Sequence, residues 1–172
     1  EYQDCVYELG CKSVLENGLD NQISLLCMDV RCLSSKFESD SFDVVTCNPP
    51  YFKTSNSDYF NDNDVKTLAR HEVTLKLEDV LKNASFLLKS GGIFAMVHRT
   101  ERFVEILDVM RKYNLEPKKV RFIYPKCSKD SDLFLIEGIK NGNRGMKLLA
   151  PLIVHNEDNT YTEDVLKMLK FE

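Results

Sequence analysis

Phe42-Asp43-Val44-Val45-Thr46-Cys47-Asn48-Pro49-Pro50-Tyr51 joins a short, largely apolar run to an asparagine, two prolines and an aromatic ring. The first six residues read as a buried strand. The prolines end it, because neither can donate to a ladder. Two adjacent prolines also restrict φ and push the preceding residue toward an extended conformation. Asn48 is therefore positioned before anything binds to it.

Such a corner suits a planar amino group. An exocyclic amine gives its lone pair to the ring it sits on, so it becomes a nucleophile only when acceptors hold its N–H bonds. The Asn48 side-chain oxygen is one acceptor, and the Pro49 carbonyl, which proline keeps, is another. Pro50 fixes the backbone behind them. Tyr51 offers a face on which a flat substrate stacks, an interaction worth about 1–3 kcal/mol per base. N-methylation of an sp2 nitrogen is the chemistry this corner fits. Adenine, cytosine, guanine and a glutamine amide all satisfy these four residues.

The chain has 172 residues, 43% hydrophobic and 29% charged, which suits one globular domain spanning 1–172. No run approaches the length of a membrane span and no signal-peptide pattern opens the chain, so a cytoplasmic location is expected. The six cysteines form no C-x-x-C pair and have no histidine at zinc spacing; reduced thiols and no metal are expected. A net charge of −4 gives no overall attraction for nucleic acid. Lys118, Lys119, Arg121, Lys126 and Lys129 nevertheless cluster, either to meet phosphates or as a solvated strand face.

Around the opening stretch the pattern alternates. Residues 4 to 17 carry a helical stripe closed by Asn17-Gly18, and Ile23 to Met28 reads as a short buried strand ending at Asp29. Residues 52 to 72 are mostly polar and aperiodic, as in a lid, a binding loop or a disordered segment. Thr74 to Lys89 forms an amphipathic helix ended by Ser90-Gly91-Gly92. Ile93 to Val97 is the next strand, Thr100 to Tyr113 a helix, and Lys118 to Tyr124 pairs with Leu133 to Ile139 as a hairpin. Residues 147 to 154 add a further strand. Strand, helix and strand in alternation point to an α/β fold with a mostly parallel sheet and an antiparallel C-terminal hairpin.

This order, with the Asn48 corner ending a central strand, resembles the Rossmann-like S-adenosylmethionine-dependent methyltransferases. More narrowly, Asn48-Pro49-Pro50-Tyr51-Phe52-Lys53, Ala69-Arg70-His71-Glu72 and Tyr161-Thr162-Glu163 resemble the bacterial tRNA adenine-N6 methyltransferases that modify valine tRNA beside the anticodon. The resemblance runs along nearly the whole chain. It implies S-adenosylmethionine as cofactor and tRNA as partner. Glu1 would bind the cofactor ribose, Asp29 and the Val30 N–H its adenine, and Asn48 would lie beside its methyl group. Tyr51, Phe52, Lys53, Arg70 and His71 would bind substrate. A general base is not demanded, because the methylated amine loses its extra proton readily to water.

One departure stands out. The Asp-x-Gly-x-Gly cofactor loop of that family is absent from these 172 residues. The expectation is that it lies upstream of Glu1 together with the first strand, and that this chain alone binds cofactor poorly. The alternatives are a glutamine-amide methyltransferase acting on a release factor and a non-catalytic RNA-binding module.

Overall fold

A computed structural model describes residues 1–49 and 75–169. Two compact units divide the chain, Glu1–Glu38 and Ser39–Glu172. The 52–72 loop and residues Pro50, Tyr51, Phe52, Lys53, Arg70 and His71 lie outside the described residues.

In the first unit, helix α1 spans Asp4–Glu16. It stops at Asn17-Gly18, where Gly18 takes φ 64° and its N–H reaches the Leu15 carbonyl at 3.1 Å. That left-handed residue is the expected helix end. The helix runs close to the segment after it, for a Cβ on Gly10 would meet Leu25 Cδ1 at 2.9 Å. The buried strand expected over 23–28 does not form. Ile23 is 41% exposed, and the segment is tied to Glu1 by two backbone bonds in place of a continuous ladder. A 3-10 turn, Val30–Ser35, follows.

The second unit holds the sheet. Its strands are β1 (Phe42–Cys47), β2 (Leu88–Arg99), β3 (Leu115–Tyr124), β4 (Leu133–Lys140), β5 (Lys147–Leu148) and β6 (Leu152–Ile153), with helices α2 (Leu77–Leu87), α3 (Phe103–Lys112) and α4 (Glu163–Leu169). The order is β1-β2-β4-β3-β5, with β6 also paired to β3. β1 and β2 are parallel, whereas β4 slots antiparallel between β2 and β3. The expected hairpin is therefore present, and its return strand sits inside the sheet. Short β5 and β6, both parallel to β3, stand where one strand was expected over 147–154.

The core forms where α2 and α3 cover one face. Leu81, Leu88, Phe94, Ile106, Met110, Leu115, Val120 and Phe134 are completely buried there. Phe103 packs edge-on against Phe122 and Phe134, with centroids 5.3 and 5.0 Å away. Strand alternation turns Val45 and Cys47 toward this core, while Val44 is 53% exposed on the other face. β1 is thus half-buried, not the fully buried strand its apolar run implied.

Ser90-Gly91-Gly92 ends no isolated helix. Strand β2 begins at Leu88, directly after α2, and the glycines lie where the β1–β2 register shifts between Phe42 and Val44. Gly91 takes φ 83°, and a Cβ on Gly92 would meet the Lys89 carbonyl oxygen at 2.8 Å and that of Asp43 at 3.1 Å. Only glycine allows the chain this close to β1.

Candidate active site

Asn48 and Pro49 follow directly on the end of β1. Cys47, the last strand residue, pairs with Met96, and β2 runs three residues further to Arg99. Asn48 is exposed and Pro49 buried. The side chain that would hold an amine thus faces outward from a corner anchored by the buried proline. In open sheets this position, outside the carboxyl ends of parallel strands, is where ligands bind.

Two titratable groups near this corner are held neutral by burial. Burial pushes the Cys47 thiol up to about 11. The thiolate is the nucleophile, so at neutral pH Cys47 is unreactive. His98, 1% exposed near the end of β2, is pushed down to about 4, by burial first and then by the nearby Arg102 charge. Its Nδ1 accepts the Arg99 backbone N–H at 2.8 Å. A histidine so placed is a neutral structural group. His98 was not singled out in the sequence, where it looks like an ordinary strand residue, whereas Cys47 was already read there as a reduced thiol.

The first unit brings Glu1 and Asp29 onto neighbouring stretches of chain. The Glu1 nitrogen donates to the Leu26 carbonyl at 2.9 Å, and Met28 N–H returns to the Glu1 carbonyl at 2.7 Å. One Glu1 carboxylate oxygen, Oε1, accepts the Tyr2 and Gln3 N–H groups, both at 2.9 Å. The Gln3 bond, with that of Tyr2, holds this carboxyl below the usual range. An ionised carboxylate accepts only, a chemistry that suits hydroxyl donors.

Asp29 plays the helix-capping role its position allowed. Its carboxylate accepts Arg31 N–H at 2.8 Å and the Arg31 Nε–H at 3.0 Å. The Arg31 side chain is the main cause of its lowered pKa. Arg31 was missed in the sequence, although two residues is the spacing at which a capping aspartate also reaches a guanidinium. Val30 opens the 3-10 turn, so its N–H has no partner inside the turn. Glu1, Asp29 and Val30 together offer two carboxylates, that of Asp29 already accepting from Arg31 at both oxygens, and one backbone donor. That donor set fits a cofactor carrying a ribose and an adenine.

The late basic cluster does structural work. Lys118 Nζ donates to the Asn143 carbonyl at 3.0 Å, Arg121 Nε to that of Ala150 at 3.0 Å and Lys126 Nζ to that of Glu157 at 2.9 Å. Lys119 pairs with Glu137 across the hairpin at 2.8 Å. These cations bind the 141–169 segment and the neighbouring strand, which settles most of the cluster in favour of the strand-face alternative.

Among the described residues there is no group of three or more metal-ligating side chains, and no helix is long and apolar enough to cross a membrane. All six cysteines are free thiols.

No protein-family model matches the chain. A curated Bacteroides fragilis protein named tRNA1(Val) (adenine(37)-N6)-methyltransferase is 27% identical over 163 residues, which cover 94% of this chain and 66% of the relative. A Parabacteroides distasonis protein of the same name is 33% identical over 58% of this chain and 41% of its own length. The chain therefore spans a little under two thirds of the first relative. Among solved structures, a predicted O-methyltransferase from Agrobacterium tumefaciens superimposes with TM-score 0.75 at 21% identity, covering 98% of this chain and 74% of that one. TrmN from Thermus thermophilus gives TM-score 0.52 at 18% identity over 81% of this chain and 35% of that one. The fold is that of the Rossmann-like methyltransferases.

Proposed function

We propose that this chain, a Rossmann-like methyltransferase in fold with curated homologues named as tRNA adenine-N6 methyltransferases, transfers a methyl group to N6 of an adenine in tRNA. The carrying observation is the placement of Asn48-Pro49 at the carboxyl end of β1, parallel to β2, in a sheet of this fold. The substrate is the valine tRNA of the relatives' name, methylated beside its anticodon in the cytoplasm.

S-adenosylmethionine, when bound, supplies an electrophilic methyl carbon whose bond to a positively charged sulfur breaks to leave a neutral thioether. Glu1 would accept from the ribose hydroxyls, and Asp29 with the Val30 N–H would hold the adenine. Asn48 Oδ1 and the Pro49 carbonyl accept the two N–H bonds of the substrate amine and turn its lone pair out of the ring. The amine so held would take the methyl group that the cofactor would supply. Its surplus proton passes to water, so His98, neutral and buried, has no part in the step. Tyr51 and Phe52 stack the target base, and Lys53, Arg70 and His71 contact the RNA around it. An adenine in an anticodon loop is unpaired, so presenting it costs little.

Incubation of the full-length protein with labelled cofactor, unmodified tRNA and a translation release factor tests this. Label in tRNA is expected. Label in a glutamine of the release factor, or none in either despite cofactor binding, would replace this reading with one of the two alternatives.

A further inference from the structure

Beyond the Asn48 corner, one exposed aromatic feature stands on the same rim of the sheet. β1 and β2 are parallel, β4 reverses, β3 reverses again and β6 runs with β3. The carboxyl ends of β1, β2, β3 and β6 therefore open on one side. From β6 the chain climbs further: Val154 N–H bonds the Tyr124 carbonyl at 2.8 Å and His155 N–H that of Pro125 at 3.0 Å. It then turns through Asn159, at φ 68°, and returns so that His155 and Tyr161 face each other as an antiparallel bridge.

Their rings stack, with centroids 4.9 Å apart and planes 24° from parallel. The turn beneath is rigid. Asn156 N–H bonds the Thr160 carbonyl at 2.8 Å, Thr162 N–H the Val154 carbonyl at 3.0 Å, and Thr162 Oγ1 the Ile153 carbonyl at 2.6 Å. Yet Tyr161 stays 49% exposed. Each ring turns one face to the other, and about half of Tyr161 remains accessible to solvent. A stack held this firmly and buried this little contributes modestly to stability, on the order of 0.2–1 kcal/mol for a cross-strand pair.

We infer that the His155–Tyr161 stack is a second base platform, on which an unpaired nucleotide of the substrate RNA, other than the target adenine, stacks while the target occupies the Asn48 corner. This rests on the tRNA reading above. Four strand spacings separate β1 from β6, roughly 19 Å at about 4.8 Å each, a span that a few splayed nucleotides cross. Arg99, exposed where β2 ends, and Lys129, exposed in the turn between β3 and β4, lie along that route and meet the backbone between the two bases. Exposed Glu101, Asp130 and Asp132 share the rim, so it is not a basic surface. Stacking, which does not depend on net charge, carries the contact. Tyr161 and His155 are positioning residues, and the contact selects an open RNA loop over a duplex.

The test measures the anisotropy of a fluorescein-labelled anticodon stem-loop RNA with wild type, Tyr161→Ala and Tyr161→Phe, alongside melting curves and methylation of the same RNA. Tyr161→Ala is expected to weaken binding about tenfold and raise KM with kcat unchanged, while Tyr161→Phe stays within about twofold. Equal affinity in wild type and Tyr161→Ala, with wild type still methylating, overturns the platform and leaves the tRNA reading standing. Wild type that neither binds nor methylates the RNA removes both. If Tyr161→Ala melts early, 4-thiouridine crosslinking to the wild-type protein decides: a crosslink on the His155–Tyr161 turn supports the platform, and crosslinks only elsewhere overturn it.

Discussion

Cys47 of β1 lies opposite Met96 of β2 in parallel register, so β1 ends three residues before β2 does. That offset places Asn48 at a step in the rim, with a longer strand beside it and buried Pro49 after it. Anything that shifts β1 along β2 moves Asn48 from the place where the proposed reaction needs it.

Gly92→Ala makes such a shift. The added Cβ meets backbone oxygens of Lys89 and Asp43, which cannot swing aside as a side chain would. A loss of about 1–3 kcal/mol in denaturant unfolding is expected, together with a fall in methyl transfer larger than the unfolded fraction explains.

Cys47 should be the last of the six thiols to react. Its pKa of about 11 leaves almost no thiolate at pH 7, whereas Cys127 and Cys32 are exposed. Mass spectrometry after brief iodoacetamide treatment of the native protein reads the order.

His98 predicts a pH dependence of stability. Its folded-state pKa is depressed from 6.5 to about 4, so the unfolded chain takes up the proton first. The neutral, buried form contributes its stability fully above about pH 6.5, and that contribution is lost as pH falls toward 4, by about 3 kcal/mol in total. Urea unfolding across this window should show the slope in wild type and lack it in His98→Gln.

Arg121→Ala should lower stability by about 1–3 kcal/mol by removing its bond to the Ala150 carbonyl and its pairing with Asp164 at 3.6 Å. The salt dependence of RNA affinity should not change. A phosphate-binding arginine would take about one unit from that slope.

Much of the second unit was legible because its elements carry their own periodicity. The face of α2, the alternation of β3 and the apolar run of β4 each need only neighbouring residues to be read. The 23–28 segment misled for the converse reason: its apolar content suggests a buried strand, but a strand exists only where a partner supplies a ladder, and here Glu1 supplies two bonds. The glycine pair looked like a stop because sequence does not show that a Cβ on Gly92 would lie only 3.1 Å from the Asp43 carbonyl oxygen of β1. The seven-residue α4 is too short to display a stripe. Charge alone could not assign the basic cluster, since its partners are backbone carbonyls up to 31 positions away. At the site, Asn48 and Pro49 were readable as chemistry, while Arg31 on Asp29 and the buried neighbour His98 emerged only from the fold.

The most direct test of the central claim is nucleoside analysis of tRNA after incubation with labelled S-adenosylmethionine, run in parallel on the full-length wild type and its Asn48→Ala variant, with calorimetry of cofactor binding on both. Labelled N6-methyladenosine is predicted from wild type, and a loss of at least about a hundredfold in Asn48→Ala with cofactor affinity nearly intact. Asn48→Ala that still forms N6-methyladenosine at the wild-type rate would contradict the assignment of Asn48 as the residue that holds the amine.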